Sequence, residues 1–180
     1  MAQHPPVGEL ASWGTGLAQG LAGYGGQGFS LRGEKDRFVL PPKLRNTIAE
    51  RSGQRVLCIG VHEKWPCLTG FGKEREEDFA RILDREEKRR TDLGQEFDRA
   101  AYMLNLWDFE EAPFDASGRF VLPAVSGQLG GIGNALYFQG AGDYITIWNP
   151  ETLLAQTDPV FAGPQARCRA EMANAKGKGK

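Results

Sequence analysis

The sequence is poor in the side chains that bind metals or carry out nucleophilic catalysis. Its 180 residues include 3 cysteines and 2 histidines. An odd number of cysteines without framework spacing argues against a disulfide scaffold and suits a reducing compartment. No stretch approaches ~18 consecutive apolar residues, and no basic segment precedes an apolar core at the amino terminus, so neither a membrane span nor a signal peptide is predicted. Cytoplasm is the expected location.

A strong excess of positive charge is also missing. The net charge is −1, whereas many nucleic-acid-binding proteins are markedly basic. Any surface that attracts phosphate must therefore be local, with acidic surface elsewhere to cancel it.

Metal binding and catalysis find little support. His62 with Cys58 and Cys67 forms a C-x3-H-x4-C pattern, but a structural zinc site normally uses four ligands, so packed cysteines are the favoured interpretation. No nucleophile motif or phosphate-binding loop is present, and the glycine-rich stretch 127–142 is interpreted as a loop that leads into a buried strand. We expect no enzyme, no cofactor, no small-molecule substrate and no membrane partner.

What the sequence does contain is the pentapeptide RFVLP twice, at 37–41 and 119–123, 82 positions apart. Each copy follows a polar turn. In the second turn, Asp115 is placed to accept hydrogen bonds from backbone N–H groups, and Gly118 to take a positive φ. The turn therefore predicts a rigid tip that presents Arg119, followed by a strand whose alternate side chains face opposite ways.

The elements around each pentapeptide follow the same order, which divides the chain into five parts. Two similar halves, 24–72 and 108–155, flank a charged stretch at 73–107 whose apolar spacing predicts one or two amphipathic helices. The terminal segments 1–23 and 156–180 bury too little apolar surface to offset ordering entropy, and are predicted to be flexible.

Three details of this organisation are open to a structural check. After the pentapeptide the spacing of the repeat falls to 79, which aligns Leu68 with Ile147 and Trp65 with Tyr144. In the connecting stretch Gly94 is the expected break between helices. A pair at i,i+4 is expected to support the first helix, and three tryptophans are expected in the core or at subunit contacts. These residues are Glu77 and Arg81 for the pair, and Trp65, Trp107 and Trp148 for the tryptophans.

The repeated turn and strand resemble the MraZ family, in which two AbrB/SpoVT-type halves occur in one chain. The signature is a D-x-x-x-R turn followed by a strand that ends in proline, and residues 115–123 match it in full. The first copy departs from it, because Gly33 stands where the family has Asp and Asp36 where it has Gly. Lys35, Arg37 and Pro41 agree with the signature.

The resemblance covers roughly 24–155 and implies a β-rich α+β fold. Two pseudo-twofold-related swapped-hairpin halves would form one barrel-like domain with a helical insert. It also implies a ring-shaped homo-oligomer that is associated with the nucleoid. The expected activity is transcriptional repression of the division and cell-wall gene cluster, through direct repeats in promoter DNA.

On this hypothesis Arg37 and Arg119 enter the major groove and each donates two hydrogen bonds to guanine O6 and N7. Lys35 would reach a phosphate or a base, and Ser117, at the corresponding position, would make a neutral contact. The remaining predicted site residues form the second turn or position the DNA backbone without reading sequence. They are Asp115 and Gly118 for the turn, and Arg32, Lys43 and Arg45 for the backbone.

Two alternatives stay open. In the first, the turn arginines only form surface ion pairs with nearby carboxylates and do not bind DNA. Such pairs contribute about 0–1 kcal/mol to stability. The fold also suits a ring-forming scaffold, or an antitoxin-like protein-interaction module, with weak or no DNA binding.

Overall fold

Strands and helices follow one another in the same order in both halves of the chain. The computed structural model describes residues 23–178. Within them, eight strands are present: β1 (Gln27–Leu31), β2 (Arg37–Val39), β3 (Val56–Val61), β4 (Leu68–Phe71), β5 (Phe109–Pro113), β6 (Arg119–Val121), β7 (Ala135–Gly140) and β8 (Ile145–Trp148).

The same residues form six α-helices: α1 (Pro42–Ser52), α2 (Phe79–Asp92), α3 (Arg99–Leu106), α4 (Ala124–Leu129), α5 (Pro150–Leu154) and α6 (Ala162–Gly177). Short 3-10 helices occupy Glu34–Asp36, Lys73–Asp78 and Pro159–Phe161. Within the described range, the helices are too short or too polar to span a lipid bilayer.

The strands form an antiparallel six-stranded sheet in the order β1-β7-β8-β4-β3-β5, and a separate two-stranded ribbon of β2 and β6. The order of the large sheet reads the same from either end when the halves are exchanged. The predicted α+β class is confirmed. The barrel-like shape is wrong, because β1 and β5 form the two edges of an open sheet and do not pair with each other.

The strand registers describe a local pseudo-twofold axis between the halves. Thr69 lies opposite Thr146 at the centre of the β4–β8 pair, and Phe38 lies opposite Phe120 at the centre of the ribbon. The outer strands also pair across the halves, β1 with β7 and β5 with β3. Neither half therefore completes its own sheet.

The registers also correct the spacing of the repeat after the third strand. Equivalent positions are 82 apart in the ribbon and 79 apart between β3 and β7, but 77 apart between Thr69 and Thr146. Leu68 and Ile147 are cross-strand partners, not equivalent residues. The predicted alignment of Trp65 with Tyr144 is wrong for the same reason, because the hairpin loop 141–144 is two residues shorter than the loop 62–67.

The main core lies between the sheet, the ribbon and α1. Helix α1 buries Leu44 and Ile48, as their helical spacing predicts, and ends at Gly53 with a φ of 67°. In the second pentapeptide, Phe120 and Leu122 are buried and Val121 is 52% exposed. This alternation follows from the pleat of an extended strand, in which successive side chains point to opposite faces.

The connecting stretch forms the two predicted helices, with the break at Gly94, whose φ is 67°. Helix α2 buries Phe79 and Leu83, but α3 has no buried residue and Leu104 is 75% exposed. Arg81 pairs with Asp78. This replaces the predicted pair with Glu77, because residues 73–78 form a 3-10 helix rather than an α-helical turn.

In the segment 156–180, for which flexibility is predicted, the structure places helical residues from Pro159 to Gly177. Helix α6 buries Cys168 in a second cluster on the sheet, with Phe161 and Leu153 against Tyr137 and Trp148. Because only one side chain of α6 is fully buried, the helix has almost no apolar periodicity for a sequence pattern to detect. The predicted flexible segment at the amino terminus lies almost entirely outside the described residues.

Two further sequence interpretations are refined. The glycine-rich stretch 127–142 begins inside α4 before it becomes a loop, and Gly142 lies in the hairpin loop between β7 and β8 with a φ of 80°. Of the three tryptophans, Trp148 is buried in the core, whereas Trp107 is 43% exposed and packs edge-on against Phe79. Trp65 is half-buried and stacks on His62.

A buried polar network joins the start of the described chain to the connection after β4. The Tyr24 hydroxyl donates to Glu74 Oε1 at 2.8 Å and accepts from the Gly72 N–H at 2.9 Å. Arg51 Nε lies 2.9 Å from the same carboxylate and its guanidinium stacks on the Tyr24 ring. Burial, with the Glu74 hydrogen bond, raises the pKa of Tyr24 well above its ordinary value.

Removing this hydroxyl is expected to destabilise the fold. Tyr24→Phe leaves the buried Gly72 N–H without an acceptor and removes one of the two contacts of the Glu74 carboxylate, at a cost of about 1–3 kcal/mol. Urea unfolding measures the change. Tyr102→Phe is the control, since within the described residues its hydroxyl makes no hydrogen bond. Equal stability of the two variants would contradict the proposed importance of the network.

Candidate nucleic-acid interface

The ribbon of β2 and β6 brings the two repeated arginines together. Arg37 lies opposite Val121, and Arg119 lies opposite Val39. All four side chains are exposed and share one face of the ribbon, because residues two apart on a strand point the same way. The two arginines are diagonal neighbours, with an expected separation of about 7–8 Å between their backbones. The sequence repeat thus becomes a single bipartite surface.

The opposite face of the ribbon is anchored in the core. Phe38 and Phe120 are buried with ring centroids 6.2 Å apart. The Arg32 guanidinium stacks over the Phe38 ring at 5.0 Å, and its Nη2 donates to the Gly133 carbonyl at 2.9 Å. Arg32 therefore ties the ribbon to the second half of the chain, which sequence reasoning did not anticipate.

The second turn has the predicted geometry. Asp115 Oδ1 accepts from the N–H groups of Ser117 and Arg119, each at 2.9 Å, and the φ of Gly118 is 84°. The Asp115 N–H donates to the Arg119 carbonyl and closes the loop. The backbone hydrogen bond from Arg119, then that from Ser117, hold the pKa of Asp115 below its ordinary value, and the charges of Arg119 and Arg37 add to the effect.

The first half of the chain holds this second turn in place. Arg45, from α1, donates to the Ser117 carbonyl at 2.6 Å, and the Leu40 N–H donates to the Gly118 carbonyl at 2.8 Å. A Cβ on Gly118 would lie 2.7 Å from the Leu40 carbonyl oxygen, so only glycine fits. Arg45 was expected to contact the DNA backbone, but its guanidinium is directed to protein carbonyls.

The first turn is built differently, because Gly33 offers no carboxylate. Its N–H donates to the Arg37 carbonyl at 2.7 Å, as Asp115 does in the other turn. Lys35 and Asp36 both adopt left-handed backbone conformations, with φ of 57° and 55°. For non-glycine residues this costs roughly 1–2 kcal/mol each, so the first turn is more strained than the second.

Charged side chains around the ribbon remain available to solvent. Lys35 and Lys43 are exposed, Lys35 in the first turn and Lys43 on the first turn of α1. Arg119 Nε lies 3.4 Å from Asp115 Oδ2, and both side chains are about half exposed, so this pair contributes little and does not sequester the arginine. Within the described residues, Arg37 makes no ion pair with a carboxylate.

The structure adds two residues to the predicted site. Val39 and Val121 are 43% and 52% exposed and lie directly beside the arginines. Their signal was present in the sequence, since the repeat places each valine two positions after its arginine. The predicted alternation of the strand places Val121 on the face opposite Phe120 and Leu122, but an exposed valine by itself indicates no function.

The strand order of the large sheet is symmetric between the halves, and the two repeated arginines lie on one ribbon to which each half contributes a strand. These features define a tandemly duplicated α+β protein whose halves pair their strands with each other. No protein-family model matches the chain. The transcriptional regulator MraZ of Rhodospirillum rubrum is 30% identical over 125 residues, which cover 67% of this chain and 76% of that protein. The transcriptional regulator MraZ of Parvibaculum lavamentivorans is 30% identical over 116 residues, 64% of this chain and 69% of that protein. The chain belongs to the MraZ family.

The carboxylate of Asp115 is expected to stabilise the second turn in a pH-dependent way. Asp115→Asn keeps the shape but weakens both backbone hydrogen bonds, and should lower the thermal midpoint at pH 7 by roughly 1–3 °C. Because the folded pKa of Asp115 is depressed, its contribution is present above the unfolded pKa of about 3.9 and is lost as pH falls through the folded value.

The difference between wild type and Asp115→Asn should therefore vanish in acid. Asp36→Asn in the first turn is the matched control, because that carboxylate only approaches Arg32 at 3.5 Å. A difference that persists unchanged at low pH would show that the charge of Asp115 is irrelevant to the turn.

Proposed function

We propose that this protein is a sequence-specific DNA-binding transcriptional regulator, and that the ribbon of β2 and β6 is its reading surface. The observation that carries the proposal is the pair of exposed arginines on one face of an anchored ribbon. The major groove of B-DNA is about 12 Å wide and admits a two-stranded β-ribbon. The names of the two relatives, both transcriptional regulators, support the same function.

Each arginine is proposed to read one guanine. A guanidinium donates two parallel hydrogen bonds to guanine O6 and N7, which is the commonest specific contact. Val39 and Val121, between and beside the arginines, are suited to apolar contact with thymine methyl groups. Lys35 and Lys43 are proposed to contact phosphates, and the Ser117 hydroxyl to make a neutral contact to the DNA backbone.

Arg32 and Arg45 take a different part in this proposal. Their contacts to the Gly133 and Ser117 carbonyls fix the ribbon and the second turn before DNA arrives. A preorganised surface loses less conformational freedom on binding, and this preserves affinity. We infer that the two arginines position the reading residues instead of touching DNA themselves.

The two turns are proposed to contribute unequally. Asp115 and Gly118 hold the second turn, so it presents Arg119 with little backbone strain. The first turn carries Lys35 and stores backbone strain at two residues. We infer that Arg119 supplies most of the sequence discrimination, and that the first turn supplies more phosphate attraction.

The wider assembly is also a proposal. The two swapped-hairpin halves are proposed to build the subunit of a ring-shaped homo-oligomer, which acts in the cytoplasm at the nucleoid. Several reading ribbons on one ring would engage spaced direct repeats of promoter DNA and gain avidity without new contacts. The target is proposed to be the division and cell-wall gene cluster, with repression as the outcome.

One observation favours protein contact as a second candidate. Helix α3 and the residue after it expose three apolar side chains, Met103, Leu104 and Trp107, at 42%, 75% and 43%. Such a face suits subunit contact in a ring, and a scaffold of this fold would need it even without DNA. Salt separates the two functions, because binding through phosphates weakens steeply as salt rises.

Removing either reading arginine is expected to weaken and relax DNA binding. Arg119→Ala should reduce affinity for operator DNA roughly 5- to 150-fold, the equivalent of about 1–3 kcal/mol, and lower discrimination at one guanine. Arg37→Ala should have a smaller effect. Mobility-shift titration against the protein's own promoter measures both variants.

Arg85→Ala is the matched control, since it makes the same change of charge on exposed α2, away from the ribbon. The proposal is wrong if Arg119→Ala binds operator and scrambled DNA as wild type does.

The number of repeats in the DNA is expected to determine how tightly the protein binds that DNA. DNA with three spaced repeats should bind at least tenfold more tightly than DNA with one, because each further contact is intramolecular. Fluorescence anisotropy on duplexes of equal length, with the surplus repeats scrambled, measures the difference. Equal affinity for one and three repeats would contradict the proposed assembly.

A further inference from the structure

A cleft of about 440 Å³ opens between the β3–β4 hairpin and the helices α2 and α3. It lies apart from the ribbon, and no residue of the ribbon lines it. Cations and aromatic rings share its walls, and the volume falls within the range of about 300–1,000 Å³ that is typical of small-molecule sites. The lining residues used below are His62, Phe71, Arg75, Tyr102, Phe109 and Tyr144.

The pseudo-twofold symmetry allows the surroundings of this cleft to be compared with the second half of the chain. Phe71 ends β4 as Trp148 ends β8, and each strand is followed by a pair of helices. In the second half the space over Trp148 is filled by Phe161 and Cys168, which are both buried. In the first half Phe79 packs edge-on over Phe71 in the same way, with ring centroids 5.9 Å apart, and the cleft lies beside that contact.

Arg75 places a positive charge in the wall of the cleft. Its guanidinium stacks on the rings of Phe71 and Tyr144, at 5.6 Å and 5.4 Å from their centroids, and Nη1 donates to the Asp143 carbonyl. Within the described residues it makes no ion pair with a carboxylate. Burial lowers the pKa of Arg75, and a positive charge so placed favours an anionic ligand.

Another part of the wall is a rigid loop. His62 Nδ1 accepts from the N–H groups of Lys64 and Trp65 at 3.0 Å, and Nε2 lies 3.2 Å from the Tyr144 hydroxyl. The His62 ring stacks on Trp65 with centroids 4.6 Å apart. These contacts belong to the hairpin loop that is two residues longer than its counterpart, so the longer loop builds a wall that the second half lacks.

We propose that this cleft binds a small planar aromatic molecule with one carboxylate or phosphate group. Arg75, which lines the cleft, pairs with the anionic group through guanidinium N–H groups other than the one that donates to the Asp143 carbonyl. Phe109 and Tyr102 form apolar and polar ring surfaces beside the aromatic part. Asp108 and Glu63 also line the cleft and disfavour a second anionic group. The inference does not depend on DNA binding.

Isothermal titration calorimetry of the full-length protein tests the proposal with two probes. 2-Naphthoate and 2-naphthyl phosphate carry the two kinds of anion, and 2-naphthalenemethanol is the neutral control. We expect saturable binding of at least one anion with one site per chain, and at least tenfold weaker binding of the alcohol. Which anion binds more tightly identifies the class of ligand.

Variants then place the binding in the cleft. Arg75→Gln should weaken binding of the anion at least tenfold, while Arg85→Gln, the same change on exposed α2, should leave it unchanged. Asn105→Trp should block the cleft from the exposed side of α3, whereas Met103→Trp on the same helix should not. If Arg75→Gln does not fold, the pair on α3 still decides the location.

Three results would overturn the proposal. The first is no saturable binding of either anion by the protein in its natural oligomeric state, as when a neighbouring subunit fills the cleft. The second is equal binding of the alcohol. The third is binding that Asn105→Trp leaves intact.

Discussion

The contact between Phe38 and Phe120 is the interaction on which the rest of the site depends. These rings meet at the centre of a ribbon only three residues long on each side, and an isolated ribbon of that size is not stable in water. Burial of both rings in the core attaches the ribbon to the domain. The pleat then directs the neighbouring arginines outward, so one apolar contact orients both of the proposed reading residues.

Shared strands make the two halves interdependent. Each half supplies strands to the other, and Arg32 and Arg45 of the first half hold carbonyl groups of the second. The symmetry of the backbone is nevertheless not kept in detail. Asp115 rigidifies one turn where Gly33 leaves the other strained, and a cleft lies beside the helices that follow β4. The duplication accounts for the backbone fold that both halves share. The sequence differences between the halves account for their different turns and for the cleft.

Much of the fold was predictable because its signals are local. The repeat predicted the strand order of both halves, α1 followed from Leu44 and Ile48, and the second turn followed from Asp115 and Gly118. The errors arose where a distant contact overrides local preference. Helix α6 is ordered by Tyr137 and Trp148 far away in the sequence, and the predicted barrel is wrong because closure depends on whether β1 meets β5.

The sequence by itself determined the duplication, the alternation of each repeated strand, and the chemistry of one turn, since these depend on residues within a few positions of one another. Only the tertiary structure decided that Arg37 and Arg119 share a face, that Val39 and Val121 lie beside them, and that Arg32 and Arg45 turn inward. The physical reason is that strand pairing across halves brings together residues about 80 positions apart, and no local pattern encodes which partner a strand will find.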